Sequence, residues 1–281
     1  LKAMGLPIRK KDLADWTALA TKIKKIKKEV KIGIVGKYFN FKSCKDTYIS
    51  VIESINHAAW AENYKPKIFW LDTEKYEEDK SKLKELDELD GMIVPGGFGK
   101  RGTEGMVLAA DYARRNKIPY FGLCYGMQMM TISFARNVLG LSNANSTEND
   151  PKTPDPVIAT MADQVEKIKN KNYGATMRLG AYPCVLKDGT IARAAYEKKS
   201  ISERHRHRYE VNNAYIERLE DAGLIFSGVY TAGNLMEIAE LPKSAHPFML
   251  GTQFHPEFKS RPLNPHPLFT AFIKACIGGK K

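Results

Sequence analysis

Gly122-Leu123-Cys124-Tyr125-Gly126 decides how this chain is read. The pentapeptide follows the apolar run Ile118-Pro119-Tyr120-Phe121 and precedes a helical pattern from Met127 to Val138. The order is strand, sharp turn, helix, with a thiol at the turn. A G-x-S-x-G turn presents a serine nucleophile in the same layout. A side chain at either glycine would crowd so tight a turn. The sulfur falls at the positive end of the following helix, which favours the thiolate, and only the thiolate is a strong nucleophile. A buried structural cysteine is the competing reading, since free cysteine is among the most buried residue types. A partner base decides between the two.

Gln253-Phe254-His255-Pro256-Glu257-Phe258 supplies one, just after the apolar strand Phe248 to Gly251. On an extended segment, His255 and Glu257 point the same way. Glu257 then accepts from one imidazole nitrogen and fixes the tautomer, while the other nitrogen faces a nucleophile. Pro256 stiffens the backbone between them. Cys124, His255 and Glu257 thus form a candidate Cys–His–Glu triad, whose members need be adjacent only in space. Val94-Pro95-Gly96-Gly97-Phe98-Gly99 adds a third element. Its glycines let backbone N–H groups approach a ligand. No Lys-Ser/Thr follows, as a P-loop requires. The loop reads instead as an oxyanion donor, partnered by the amide after Cys124.

Working outward, Val30 to Gly36, Lys67 to Leu71, Gly91 to Gly97 and Ile118 to Leu123 read as strands. Asp46 to Asn63 and Thr103 to Asn116 read as helices between them. Such alternation predicts an α/β fold with a mostly parallel central sheet flanked by helices. Asn143 to Asn172 reads as loop and edge structure, and glycine-bounded Gly174 to Gly180 as a segment that moves. Short strands are expected at Cys184–Leu186, Glu210–Asn212, Leu224–Tyr230, Leu235–Glu240 and Phe248–Gln253, before a closing helix from Pro267 to Ile277, so that additional short antiparallel strands accompany the parallel sheet. Residues 1–29 read as a lysine-rich interdomain linker with a helix holding Leu13, Trp16, Leu19 and Ile23. Residues 30–281 read as one domain.

The composition is that of a globular protein: 281 residues, 43% apolar, with no run of membrane-spanning length. The net charge of +12 is concentrated in Lys22 to Lys31 and at the C-terminus, and reads as a solvated helix face. No nucleic-acid motif accompanies it, so neither nucleic acid nor membrane is an expected partner. Cys44, Cys124, Cys184 and Cys276 are widely spaced with no CxxC pair, which fits a reducing, cytoplasmic setting. Glu203, His205 and His207 have a spacing that superficially suits a metal, but the interleaved arginines repel a cation, and no metal site is expected. His57, His246 and His266 read as structural.

Pro-Gly-Gly-Phe-Gly, Gly-Leu-Cys-Tyr-Gly-Met-Gln and Phe-His-Pro-Glu-Phe, in this order, resemble a class I (triad-type) glutamine amidotransferase domain. Arg101-Gly102-Thr103-Glu104-Gly105-Met106, Asn143 to Glu148, Gly174 to Gly180 and the run Glu203 to Asn212 narrow the resemblance to the CTP synthase family. It extends from Lys31 to Ile277. It implies Cys124 as nucleophile, His255 as general base and acid, and Glu257 as its orienter. Gly97 would supply an oxyanion amide and touch the substrate, L-glutamine. Tyr125, Gly126, Met127 and Gln128 would wall the substrate, Glu148 would bind its α-ammonium and Arg208 its α-carboxylate. Many family members carry Leu where this chain has Tyr125.

The resemblance also implies what accompanies this domain. In the family, an N-terminal synthetase domain uses ATP and Mg2+ to aminate UTP with the released ammonia, as a ligase of pyrimidine biosynthesis. That domain is not found in these 281 residues, so the chain reads as the C-terminal half, beginning inside a longer protein. GTP is the expected allosteric activator, with 172–180 as a lid and Phe98, Arg101 and Arg204–Arg208 near the nucleotide. The full-length protein is expected to be a homo-oligomer, a tetramer. A γ-glutamyl hydrolase on the same fold and a regulatory module with a vestigial triad are the alternative readings.

Overall fold

The apolar runs that flank the glycine-bearing turns gain most when buried on both faces, which only the middle of a helix-covered sheet provides. A computed structural model describes residues 2–7, 12–37, 47–160 and 177–279 and shows such a sheet. The strands are β1 Glu29–Gly36, β2 Lys65–Asp72, β3 Gly91–Val94, β4 Tyr120–Leu123, β5 Ala144–Ser146, β6 Asp155–Thr160, β7 Arg178–Leu186, β8 Ser200–His207, β9 Tyr209–Val211, β10 Ile225–Tyr230, β11 Leu235–Glu240 and β12 Met249–Thr252. Among the described residues they form a nine-stranded sheet, β2-β1-β3-β4-β12-β11-β10-β7-β8, and a three-stranded sheet, β5-β6-β9. β2, β1, β3, β4 and β12 run parallel; from β12 onward each pairing is antiparallel.

Helices cover both faces. α1 Ala14–Lys25 has no buried residue, and Lys22 Nζ donates to Ala61 O at 2.8 Å. α2 Ile49–Ala61 and the closing helix Pro267–Gly278 pack on one face with Ile32, Ile34 and Phe121. Phe121 sits among Phe248, Phe269 and Phe272, with centroids 5.9, 5.1 and 5.9 Å away. Burying each ring stabilises the fold by roughly 1.5–3 kcal/mol. α3 Glu74–Glu78 lies between β2 and β3. α4 Thr103–Asn116 and α5 Tyr125–Asn137 pack on the opposite face, and α5 is buried from Tyr125 to Ala135. None of the helices in the described residues is long and apolar enough to cross a membrane.

The antiparallel part is larger than the short strands read from the sequence. β7 and β8 run for 9 and 8 residues and pair along their length, Arg178↔His207 to Val185↔Ser200. Arg178 to Gly180, the described end of the expected lid, therefore belongs to a strand; 172–176 lies outside the described residues, as do Cys44 and Asp46. Within 143–160, β5 and β6 form part of the small sheet rather than loop. The predicted strand through Gly97 stops at Val94, just before Pro95, which has no N–H to continue the ladder.

Candidate active site

β3, β4 and β12 lie side by side and parallel, so their carboxyl ends open on one edge. Neighbouring strands stand about 4.8 Å apart, close enough for groups just past their ends to meet. Cys124 follows β4 with φ +50° and ψ −96°. A non-glycine residue at positive φ is costly and persists where surrounding contacts impose it. This single residue turns the strand into α5, so the helix begins at Tyr125, ahead of the predicted Met127. Cys124 N donates to Thr252 O at 2.6 Å, and Cys124 O accepts from the amides of Met127 and Gln128 at 3.1 and 3.3 Å. The flanking glycines answer to crowding. A Cβ on Gly126 would stand 2.1 Å from Val94 O, and one on Gly122 would stand 2.6 Å from Gly126 C. The sulfur lies at the α5 N-terminus, where the helix dipole favours negative charge.

His255 Nδ1 is 2.7 Å from Glu257 Oε1. The extended segment predicted from their spacing is not what brings them together. Pro256–Phe258 is a 3-10 turn, favoured by the proline at its start, and His255 precedes it. Ser54 Oγ of α2 donates to Glu257 O at 3.3 Å, and His255 N donates to Arg204 O of β8 at 2.8 Å. The Phe258 ring stacks on the imidazole, centroids 5.0 Å apart and 15° between planes. His255 Nε2 is buried with no hydrogen-bond partner among the described residues. Burial opposes charge on this ring, yet the Cys124 sulfur and the Glu257 carboxylate outweigh it and push its pKa up to about 11. An imidazolium held beside a cysteine suits a thiolate–imidazolium pair.

A cleft of about 650 Å³ joins these groups. Cys124, His255, Glu257, Gly97, Tyr125, Gln128, Glu148 and Arg208 all line it. Gly96 packs against the imidazole; a Cβ there would stand 3.0 Å from His255 Cε1. Tyr125 Oη bonds Thr103 Oγ1, Gly99 O and Asn149 Oδ1 at 2.9, 3.0 and 3.1 Å. Gln128 Nε2 donates to Tyr209 O and Gln253 Oε1 at 3.1 and 3.2 Å. Glu148 follows β5 and accepts from Gly99 N at 2.8 Å. Arg208 sits between β8 and β9. Gly126 and Met127 lie behind the wall, Gly126 against Val94 and Met127 against Gly251. Gln253 is a functional neighbour that the sequence motif contained without a role. Its Nε2 is 3.6 Å from Cys124 Sγ.

Next to the cleft is a buried ionic cluster. Arg178 bonds Glu210 and Glu237 at 3.0 and 2.8 Å and covers the Tyr182 ring at 4.4 Å. His205 Nδ1 and His207 Nε2 are 2.8 Å apart. Burial pushes the Glu210 and Glu237 pKa values up to about 8 and about 7 against the pull of Arg178, and pushes that of His205 down to about 3. Glu203 engages Tyr196 Oη and His266 Nε2 at 3.0 and 3.2 Å rather than joining the two histidines. His57 bonds Ser260 Oγ at 3.0 Å and His246 bonds Ala113 O at 3.1 Å, both inside the fold. Burial raises the Cys184 thiol pKa, which keeps that sulfur protonated.

The family model "Glutamine amidotransferase class-I" matches residues 43–275. The chain is 49% identical over 278 residues to a CTP synthase of Rubrobacter xylanophilus, covering 99% of this chain and 49% of that protein. It is 50% identical over 286 residues to a CTP synthase of Symbiobacterium thermophilum, covering 100% and 51%. The chain thus spans about half the length of the curated relatives it matches. Among solved structures, the glutaminase domain of Trypanosoma brucei CTPS, with bound acivicin, superposes with a TM-score of 0.82 at 38% identity, covering 90% of this chain and 95% of that one. The chain belongs to the class I glutamine amidotransferase family, among the glutaminase domains of CTP synthases.

Proposed function

We propose that this chain hydrolyses L-glutamine to glutamate and ammonia through a thioester on Cys124. The observation that carries the reading is the 2.7 Å His255–Glu257 pair opening onto the same cleft as the Cys124 turn. The Cys124 thiolate attacks the side-chain amide carbon, and the carbonyl electrons move to oxygen. The amides of Gly97 and Tyr125 stabilise that oxyanion, a contribution of about 3–4 kcal/mol per donor. His255 gives its proton to the nitrogen, the C–N bond breaks and ammonia leaves. His255 then takes a proton from water as the oxygen attacks the thioester, and glutamate departs with the thiolate restored. Glu148 meets the substrate α-ammonium and Arg208 its α-carboxylate, each an opposite charge at the cleft wall.

In this reading the ammonia serves a synthetase portion like that of the full-length relatives, which would use ATP and Mg2+ to aminate UTP to CTP in the cytoplasm. GTP acts as effector, and the full-length assembly is a homotetramer. Phe98, 72% exposed on the glycine loop, offers a ring face to a guanine base. Arg101 pairs with Glu74, so the cations of β8 are the better anchors for its phosphates. A glutaminase assay on the wild type and Cys124→Ala tests the proposal. Glutamate release that vanishes with the sulfur is expected; equal release by both proteins would refute it. Activity on γ-glutamyl peptides but not on free glutamine would favour the γ-glutamyl hydrolase reading.

A further inference from the structure

Lys37 follows β1 and is fully buried, though nothing in the sequence pattern marks it. Its Nζ donates to Phe98 O and Gly99 O, each at 2.6 Å, and stands 5.1 Å from the centre of the Tyr125 ring. A Cβ on Gly97 would lie 3.6 Å from Lys37 Cε, so the lysine runs directly beneath the glycine loop. On that loop, the amide of Gly99 donates to Glu148 Oε1 at 2.8 Å. Phe98 C=O and Gly99 N–H belong to one planar peptide unit and point in opposite directions. A cation therefore holds the negative end of this peptide dipole and a carboxylate holds its positive end.

We propose that Lys37 and Glu148 clamp the Phe98–Gly99 peptide from opposite sides, fixing the glycine loop so that Gly97 presents its amide to the substrate oxyanion. Lys37 is then a positioning residue that never touches substrate, and Glu148 serves both loop and ligand. The inference rests on the glutaminase reading for its catalytic consequence, but the clamp itself is a property of the unliganded protein. The charged groups facing Lys37 are Glu148, Arg101, Glu77 and Glu74. Burial, with Arg101, lowers its pKa to about 8 against the three carboxylates, which leaves the ammonium charged at neutral pH. Loss of a clamped peptide orientation removes an oxyanion donor without disturbing the nucleophile.

Three measurements on Lys37→Met, with Lys37→Arg as the conservative rescue, test this. Hydrogen exchange of the 96–99 amides is expected to quicken in Lys37→Met and return towards wild type in Lys37→Arg. The kcat for glutamine is expected to fall by roughly tenfold to a hundredfold, with KM little changed. Alkylation of Cys124 by iodoacetamide, a displacement that forms no oxyanion, is expected to keep its wild-type rate. Unchanged exchange or unchanged kcat overturns the clamp; so does alkylation that slows in step with kcat, since the effect would then lie in the thiolate. A wild type that releases no glutamate refutes the glutaminase reading, and the exchange data still decide the clamp. Should Lys37→Met not fold, Glu148→Ala removes the acceptor of the Gly99 amide and opens the clamp from the other side, and unchanged exchange at Gly99 in that variant overturns it.

Discussion

His255 Nδ1 and Glu257 Oε1 meet at 2.7 Å across one 3-10 turn, with the Phe258 ring stacked on the imidazole. The turn fixes the ring plane by two independent contacts, one polar and one apolar. Glu257→Gln keeps the shape and removes the charge. The kcat for glutamine is expected to fall by roughly two to four powers of ten. The alkaline limb of the pH–rate profile should also move down from about 11, since the carboxylate is one of the groups that raise the imidazole pKa. A profile unchanged in both height and position would show that Glu257 does not orient the base.

Glu148 and Arg208 share the cleft wall but differ in what else they hold. Glu148 also bonds the Gly99 amide. Arg208→Met removes the charge proposed to meet the substrate α-carboxylate, and is expected to raise KM for glutamine by about tenfold to a hundredfold with kcat nearly intact. Glu148→Ala, which also removes the acceptor of the Gly99 amide, is expected to change kcat as well as KM. Steady-state kinetics separate the two patterns, and a pure KM effect in both would assign Glu148 to the ligand alone.

The Gly126→Ala change meets Val94 O at 2.1 Å, where only backbone can yield. Its cost is expected to be about 3 kcal/mol or more, an overpacking loss at a site that cannot relax. Gly140, at φ +77° with open space around it, is the control, and alanine there should cost about 1 kcal/mol through backbone strain. Urea midpoints for the two variants check the ranking; equal losses would mean that crowding does not set the requirement for glycine at 126.

Glu210 is a carboxyl whose folded pKa, about 8, lies above its ordinary value of 4.5. Between those two pH values the unfolded chain releases a proton that the folded chain keeps, so stability falls as pH rises. Glu210→Gln removes that dependence. Relative to wild type, the variant should gain stability steadily from about pH 5 to pH 8, read from denaturation midpoints at several pH values. A difference that stays constant across this range would mean that Arg178 holds Glu210 ionised in the folded protein.

The parallel half of the fold was legible because β1, β3 and β4 are largely apolar on both faces and are bounded at one end or both by glycine or proline. β8 escaped because its buried positions are Glu203, His205 and His207, polar groups that face Tyr196, Glu237 and one another. Hydrophobic alternation cannot report a strand whose inner face is polar. β7 was truncated by Gly180 and Pro183, yet it pairs with β10 only at Val185 and Leu186, so the missing proline N–H leaves that ladder intact. Cys124, His255 and Glu257 carry recognisable chemistry in short motifs. Lys37 and Gln253 do not, because their partners lie 61 and 129 positions away and bind through backbone carbonyls or sulfur.

The small sheet β5-β6-β9 stands apart from the strands that carry Cys124 and His255, yet Glu148 and Arg208 flank its members. On the proposed reading, Glu148 and Arg208 are joints between two supports: Glu148 ties the small sheet to the glycine loop through the Gly99 amide, and Arg208 links β9 to β8. A change in the small sheet would then reach substrate selection first, and the bond-breaking groups through those joints.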